Sequence, residues 1–488
     1  VVLAKAFFVA KIKVHLLMKE DCMRVFSKLF KSLWEVEPHE RSKTVFLGIA
    51  FFFIIFSYTL IKELKDSVFM GIVGRECVPQ AKLLTIFVLI PLVFLYSKLV
   101  DNMRRYQLLA VCATVFSLVG LLCTYLIGHP TAGLPNTVTG SDRMLGWIFY
   151  FFVESFSPFV LSVFWAFLNS VSSPKSAKQN YGILIAFSKV GGMLSAGLGW
   201  LFLYNSGFLN TCGITDVGMI QILLVLSSLS LLAVPVTVYL MIKHVPGAYL
   251  HGYEAAYKLE KRHSKDGKEK EGILSGLKML LKYPYTFGIF GFVLFYEVIS
   301  SVLSYQRLGM AQDAGCGGIA GTSSFLLGLS FAVHCVGFCI SFFGTRIIVS
   351  KLGERLSLIL IPLSMGAMLL YYTFSTSPIA LLISFVVIRA IYYAINQPVT
   401  ESLYIPTVKA VKFKSKSWID TFGKKMAKGM GSVFNWTASV FGEAFSIPIH
   451  AGLFGTVIVL WTGVAYFLGK RYDLAIKNQE VIGSEEYE

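Results

Sequence analysis

Apolar positions along the chain come in long runs, each separated from the next by a short polar connection. A bilayer core takes roughly 20 apolar residues per helix. The pattern predicts spans near 44–64, 82–100, 107–127, 145–169, 181–203 and 219–242, and a second set near 283–304, 325–349, 355–374, 378–397, 426–447 and 452–469. Between the sets, 243–282 is the most polar stretch, with Lys258, Glu260, Lys261, Arg262, Lys265, Asp266, Lys268, Glu269, Lys270 and Glu271. The expected architecture is an all-α membrane protein of about twelve transmembrane helices in two six-helix bundles, the plan of a major facilitator transporter, with its site near the bilayer midplane between the bundles. Its parts would be an N-terminal segment at 1–43, bundles at 44–242 and 283–469, a charged linker at 243–282 and a tail at 470–488.

Lys and Arg alternate between the two sides. Lys28, Lys31, Arg41 and Lys43 precede the first span, and Lys98, Arg104 and Arg105 follow the second. Lys175 and Lys178, the linker, Arg346 with Lys351 and Arg355, Lys409 to Lys416, and Lys470 with Arg471 then follow the other even-numbered spans. The opposite connections are poor in both: 204–218 has neither, and 128–144 has only Arg143. The positive-inside rule puts both termini and the linker in the cytoplasm.

Composition agrees with the runs. Apolar residues make up 55% and charged residues 15%, where a soluble domain carries about 25% charged. The net charge of +16 would point to nucleic acid in a soluble protein. Here it sits in the short loops that orient the chain, so no nucleic-acid partner is expected, only the lipid bilayer and a substrate.

Ionisable residues inside apolar runs carry the functional information. Each costs roughly 2.5–3.5 kcal/mol on insertion scales and persists when it faces a cavity or a partner. Lys62, Glu63, Lys65 and Asp66 close the first expected span. Glu154 lies in FYFFVESFSPFVLSVFW, Glu297 in GFVLFYEVISSVLSY, Lys189 in the fifth span and Arg389 in the tenth. Lys428 opens the eleventh and Glu443 lies near its other end. The mixed signs suit a polyanion with a polar base better than a sugar or a drug. Lysines hold phosphates as point charges, and carboxylates neutralise them in the empty site or take up a proton. The plainer reading of Lys62 to Asp66 is a solvated helix end.

Other features add less. Cys112, Cys123, Cys335 and Cys339 fall in apolar runs as packing residues, while Cys212 and Cys316 fall in outside loops where a disulfide is conceivable. Gly315, Gly317, Gly318 and Gly321 lack a following GK[ST], so they form a flexible loop and not a phosphate loop. The sequon at Asn435 lies within a span and is expected to be silent. Ser188, Gly192 and Ala196 repeat at a spacing that lets helices approach closely. Residues 1–18 fit neither a signal nor a transit peptide. The chain begins at Val1, Met18 and Met23 are candidate starts, and this segment is assigned no function. No catalytic residue, metal site or cofactor is expected. Tyr58, Tyr150, Tyr296 and Trp165 are stacking candidates that packing explains equally well.

At these residues the chain resembles the ADP/ATP translocase (nucleotide transporter) family of plastids and obligate intracellular bacteria. SYTLIKELKDS, from Ser57, looks like the family's N-Y-T-x-x-R-D-x-K-D segment and places its substrate-critical lysine on Lys65. The aromatic-rich fourth span places a critical glutamate on Glu154, and the seventh places another on Glu297. PVTESLYIPTVKAVKFKSKSWID, from Pro398, is similar to the family's P-x-x-E-x-x-Y-I-P segment and the basic loop after it; counting on sets the late lysine on Lys428. Lys62, Lys189, Arg389 and Glu401 are accessory candidates. Gln397, Thr400 and Lys189 depart from the family's acid, lysine and asparagine. The resemblance covers about 34–470. It implies ATP/ADP exchange by alternating access in the inner membrane of a bacterium living inside other cells. Lys65 and Lys428 would bind phosphates, and Glu154 and Glu297 would balance them. Proton-coupled import of other nucleotides or NAD is the alternative within this class; a transport-inactive scaffold or sensor is the alternative outside it.

Overall fold

The computed structural model describes residues 38–171, 174–246, 273–315, 318–343, 345–375, 377–404, 406–407, 415–416, 418–440 and 443–482. Most of the N-terminal segment and of the charged linker, Cys316 and Lys409 to Lys414 lie outside them. The described residues are almost entirely helical, with one isolated bridge between Thr407 and Ile482. Twelve long helices account for the apolar runs. They are α1 (Pro38–Ile72), α2 (Val78–Asn102), α3 (Arg105–Ile127), α4 (Met144–Phe156, continuing through Ser162–Val171), α5 (Pro174–Tyr204) and α6 (Asp216–His244). The second set is α7 (Pro284–Ala314), α8 (Ile319–Phe343), α9 (Thr345–Ser375), α10 (Pro378–Ile391, continuing through Gln397–Ser402), α11 (Lys424–Val440) and α12 (Glu443–Lys477). Ten helices among the described residues are long and apolar enough to cross a membrane; α2 and α11 fall outside that set. The chain is a multi-pass membrane protein.

Local signals fix the helix ends. Thr215 caps α6, its hydroxyl accepting from Gly218 N at 3.1 Å, with Asp216 in the first turn and Lys243 and His244 in the last. That arrangement satisfies an orphan donor and complements the helix dipole at both ends. Proline opens α2, α7 and α10, where its missing N–H costs nothing. Gly353 breaks α9 at φ 73°, a conformation that a side chain would strain.

Several expected boundaries are corrected. The first span does not end at Lys62 to Asp66, because the apolar run resumes at Val68, Phe69 and Met70 and carries α1 to Ile72. Glu63 and Lys65 are each 4% exposed, so these charges are buried inside a helix and are not its solvated end. The eighth helix begins at Ile319, six residues before the expected start. Glu443 opens α12 and does not close α11.

The helices bury three apolar cores. One lies within the first set, including Leu47, Ile54, Phe164 and Val234. Another lies within the second set, around Phe292, Leu358, Phe385 and Trp461. The third crosses between the sets: Leu60, Val68, Tyr150 and Leu223 of the first pack with Leu308, Ala311, Ala320 and Leu327 of the second. The two bundles are therefore fused at one end and keep separate cores at the other. The seam beside that end uses small residues. A Cβ on Gly192 of α5 would meet the His334 ring of α8 at 2.8 Å, and one on Gly199 would meet Leu327 at 2.9 Å. On the other side, Gly429 of α11 lies against Leu83 and Ile86 of α2.

Polar contacts lock the fused end. Arg307 of α7 donates to Glu63 of α1 at 2.9 Å and lies 3.5 Å from Asp66. Ser323 of α8 donates to Ser67 of α1 at 2.6 Å. Arg143, the lone basic residue of 128–144, is occupied by carbonyls: Ile72 at the end of α1, and Asn136, Val138, Ala132 and Gly133 of its own loop. Its guanidinium ties the α3–α4 loop over the end of α1, which explains a basic residue on the basic-poor side.

Two outcomes are expected in thermal unfolding of the purified protein. Arg143→Ala releases five carbonyl acceptors and lowers stability by at least about 2 kcal/mol. Arg307→Met leaves Glu63 buried without its partner and costs about 3–5 kcal/mol; adding Glu63→Gln restores most of that loss.

Candidate functional site

The charged residues of α1 lie one helical turn apart and face inward, toward a cleft between the bundles. The cleft has a cavity volume of about 120 Å³ and is lined from α1, α2, α4, α7, α8, α10 and α11. Three of these helices carry a π turn next to the charge they present: Ser157–Leu161 after Glu154 in α4, Tyr392–Asn396 after Arg389 in α10, and Ile419–Gly423 before Lys424 and Lys425 in α11. A π turn widens the helix by one residue and re-aims the side chains beside it, and such turns concentrate at functional sites.

Seven cationic side chains line the cleft: Lys62, Lys65, Lys82, Arg307, Arg389, Lys425 and Lys428. Three carboxylates face them, Glu63, Asp66 and Glu154, so the lining carries a formal surplus of four positive charges. Lys65 donates to Glu154 Oε1 at 2.8 Å and lies 3.1 Å from Asp66. Its ammonium also sits 4.0 Å over the Tyr150 ring, a cation–π contact that strengthens when water is excluded. Lys425 donates to Glu154 Oε2 at 2.6 Å. Lys62 lies 3.7 Å from Glu63, and Lys428 lies 3.8 Å from the buried Glu297. Arg389 donates to the Ser304 hydroxyl at 3.1 Å.

The expected residues therefore fall into three groups. Lys65, Glu154 and Lys428 line the cleft together with Lys62 and Arg389. Glu297 lies just behind the wall, within reach of Lys428, and Lys189 lies beside it with its ammonium 4.7 Å over the Tyr393 ring. Glu401 lies elsewhere, half-exposed and paired with Lys416. Of the stacking candidates, Tyr150 lines the cleft. Tyr58 stacks on Phe156, Tyr296 on Tyr392 at 3.8 Å, and Trp165 packs edge-on against Phe51.

Lys82, Arg307 and Lys425 join the site without having stood out in the sequence. All three fall at or just beyond the ends of the expected spans, where a run of apolar residues stops. The available signal was helical continuity: α7 runs on to Ala314 and places Arg307 seven residues before its end, as Lys65 lies seven before the end of α1.

The lining of the cleft is predominantly cationic. Among the described residues no group of three or more His, Cys, Asp or Glu side chains could hold a metal.

Comparisons with known proteins bear on the fold and the family. The fold is similar to the crystal structure of a D-xylose–proton symporter, with a TM-score of 0.58 at 14% identity over 86% of this chain and 96% of that one. It is also similar to an inward-facing bacterial homologue of the human lysosomal transporter Spinster, with a TM-score of 0.52. These likenesses establish the major facilitator fold. In sequence, the chain is 23% identical to ADP,ATP carrier protein 1 of Chlamydia trachomatis over 95% of each chain. It is 28% identical to ADP,ATP carrier protein 4 of Rickettsia prowazekii over 34% of this chain and 36% of that one. The TLC ATP/ADP transporter family matches residues 19–305, well over half of the chain and including the charged turn of α1, Glu154 and Glu297; the chain belongs to that family.

Proposed function

We propose that this protein carries nucleotides across a membrane by alternating access, exchanging ATP for ADP. The observation that carries the reading is the cleft between the bundles, in which seven cations outnumber three carboxylates. Such a surplus suits a ligand with several phosphoryl charges, and the same substrate class is named for the Chlamydia and Rickettsia relatives. Lys65 and Lys428 hold phosphates. Glu154 and Glu297 neutralise lysines while the cleft is empty, and Lys62, Lys189 and Arg389 add to the field around it. The family is one of transporters, and the reading assigns no chemistry to the substrate.

Exchange follows from the pairing. In the empty protein, lysines and carboxylates hold one another across helices, and an unpaired charge in the membrane is costly. Phosphates release the lysines from those pairs, so reorientation is favoured with substrate aboard. A transport-dead scaffold would gain stability by losing the buried Glu63, Lys65 and Arg307, all about 5% exposed or less.

The basic residues Lys43, Arg104, Arg105, Lys243, Lys470 and Arg471 gather at the end where the bundles keep separate cores. The positive-inside rule assigns that end to the cytoplasm. The cleft then opens inward, the fused end closes the outside, and both termini are cytoplasmic. In a variant whose native cysteines are replaced by serine, a cysteine placed at Asn210 should react with an impermeant reagent added to intact cells, and one placed at Lys477 should not. The reverse pattern overturns the orientation.

Labelled ATP, ADP, GTP, UTP, CTP and NAD, offered to cells expressing the chain, test the function. ATP and ADP uptake should depend on internal nucleotide and persist with a proton uncoupler. Accumulation into empty vesicles that collapses with the uncoupler would establish proton symport instead. Lys65→Ala and Lys428→Ala should each reduce uptake of every transported nucleotide at least about tenfold at low substrate, the effect of losing about 1.4 kcal/mol. Unchanged uptake removes that lysine from the site.

A further inference from the structure

The carboxylate of Glu154 is held by two ammoniums from opposite bundles. Lys65 of α1 reaches Oε1 at 2.8 Å and Lys425 of α11 reaches Oε2 at 2.6 Å. Glu154 is the carboxylate within ion-pair distance of Lys425 among the described residues. Its neighbour Lys424 turns back to Asp420 at 2.7 Å. Lys428, one turn further along α11, lies on the same cleft wall with its side chain 45% exposed. Two like charges brought this close inside a membrane bundle repel strongly unless an anion lies between them. Here that anion is Glu154.

We infer that Lys425 is a substrate-binding residue, and that it and Lys65 grip one phosphoryl group of the nucleotide from opposite bundles in the place now held by the Glu154 carboxylate. The inference rests on the nucleotide-exchange reading and adds a residue and a subsite to it. A phosphoryl group offers two oxygens to the two ammoniums, as the carboxylate does. It brings a further oxygen and about one more negative charge, which Lys428 on the next turn of α11 can meet. With its further oxygen and charge it makes more charge-assisted hydrogen bonds than the carboxylate does, so the phosphoryl group displaces the carboxylate and takes over its link between α1 and α11. The substrate then becomes the cross-link between the bundles, and Glu154 restores that link when the substrate leaves.

The test separates binding from mere bridging. ATP/ADP exchange is measured in proteoliposomes for wild type, Lys425→Gln and Lys425→Arg, with KM and kcat determined separately. The inference expects KM for ATP and ADP to rise about tenfold or more in the Gln variant and to stay near wild type in the Arg variant, which keeps the charge. Stabilisation of the purified protein by inorganic tripolyphosphate, read by thermal unfolding, should fall in parallel. A Gln variant with unchanged KM and tripolyphosphate response but lower kcat overturns the inference, because Lys425 then only bridges the bundles. Should Lys425→Gln fail to fold, Lys425→Gln with Glu154→Gln removes the stranded carboxylate. That pair is compared with Glu154→Gln alone, and equal KM values for the two overturn the inference. Wild-type protein that exchanges no nucleotide refutes the transport reading itself, a result distinct from any of these.

Discussion

An ion held inside a membrane-spanning bundle has little water to screen it, and its charge must be met by a neighbour within a few ångströms. In this protein that requirement reaches across the whole molecule. Lys65 on α1, Glu154 on α4 and Lys425 on α11 form a chain of contacts at 2.8 and 2.6 Å, and Arg307 on α7 meets Glu63 on α1 at 2.9 Å. Within α1, Lys62 lies near Glu63 and Lys65 near Asp66, yet Glu63 and Lys65 also reach partners on α7 and α4. The two bundles are bound to one another by the same groups that make the cleft cationic, so the arrangement of the helices and the chemistry of the cleft answer to one constraint.

The rest of the architecture supports these contacts at close range. Small residues let α5 lie against α8 and α2 against α11, so the cleft is flanked by two seams that can slide or part. The apolar core that joins the bundles lies at one end only. Shared apolar packing resists separation there, while the opposite end has two independent cores. The π turns in α4, α10 and α11 add one residue per turn beside Glu154, Arg389 and Lys425. They turn side chains toward the cleft that regular helices would aim elsewhere.

Exchange transport follows from the same balance. Where some of a site's cations are paired with its own carboxylates, a polyanion can take over those pairs without leaving a charge bare. The surplus of cations over carboxylates then favours ligands with several phosphoryl charges over a neutral sugar, although the fold is shared with a sugar symporter.

Some of this was fixed by the sequence alone. Apolar runs of bilayer length determine most of the membrane-spanning helices, because lipid leaves the backbone no partner but itself. Charges inside those runs marked Lys65, Glu154, Glu297, Lys189 and Arg389 as exceptional, since each is costly wherever it lies. Only the tertiary structure decided the partners. Lys65 and Lys425 are hundreds of residues apart in the chain, and nothing local to either encodes that both reach Glu154. Lys82, Arg307 and Lys425 were hidden because a hydropathy pattern fades at the polar end of a span, while the helix itself continues. Glu401 is an accessory candidate by its place in the segment from Pro398, yet it pairs with Lys416 away from the cleft. A charge's local sequence sets the cost of burying it, and the packing of distant helices decides what it meets.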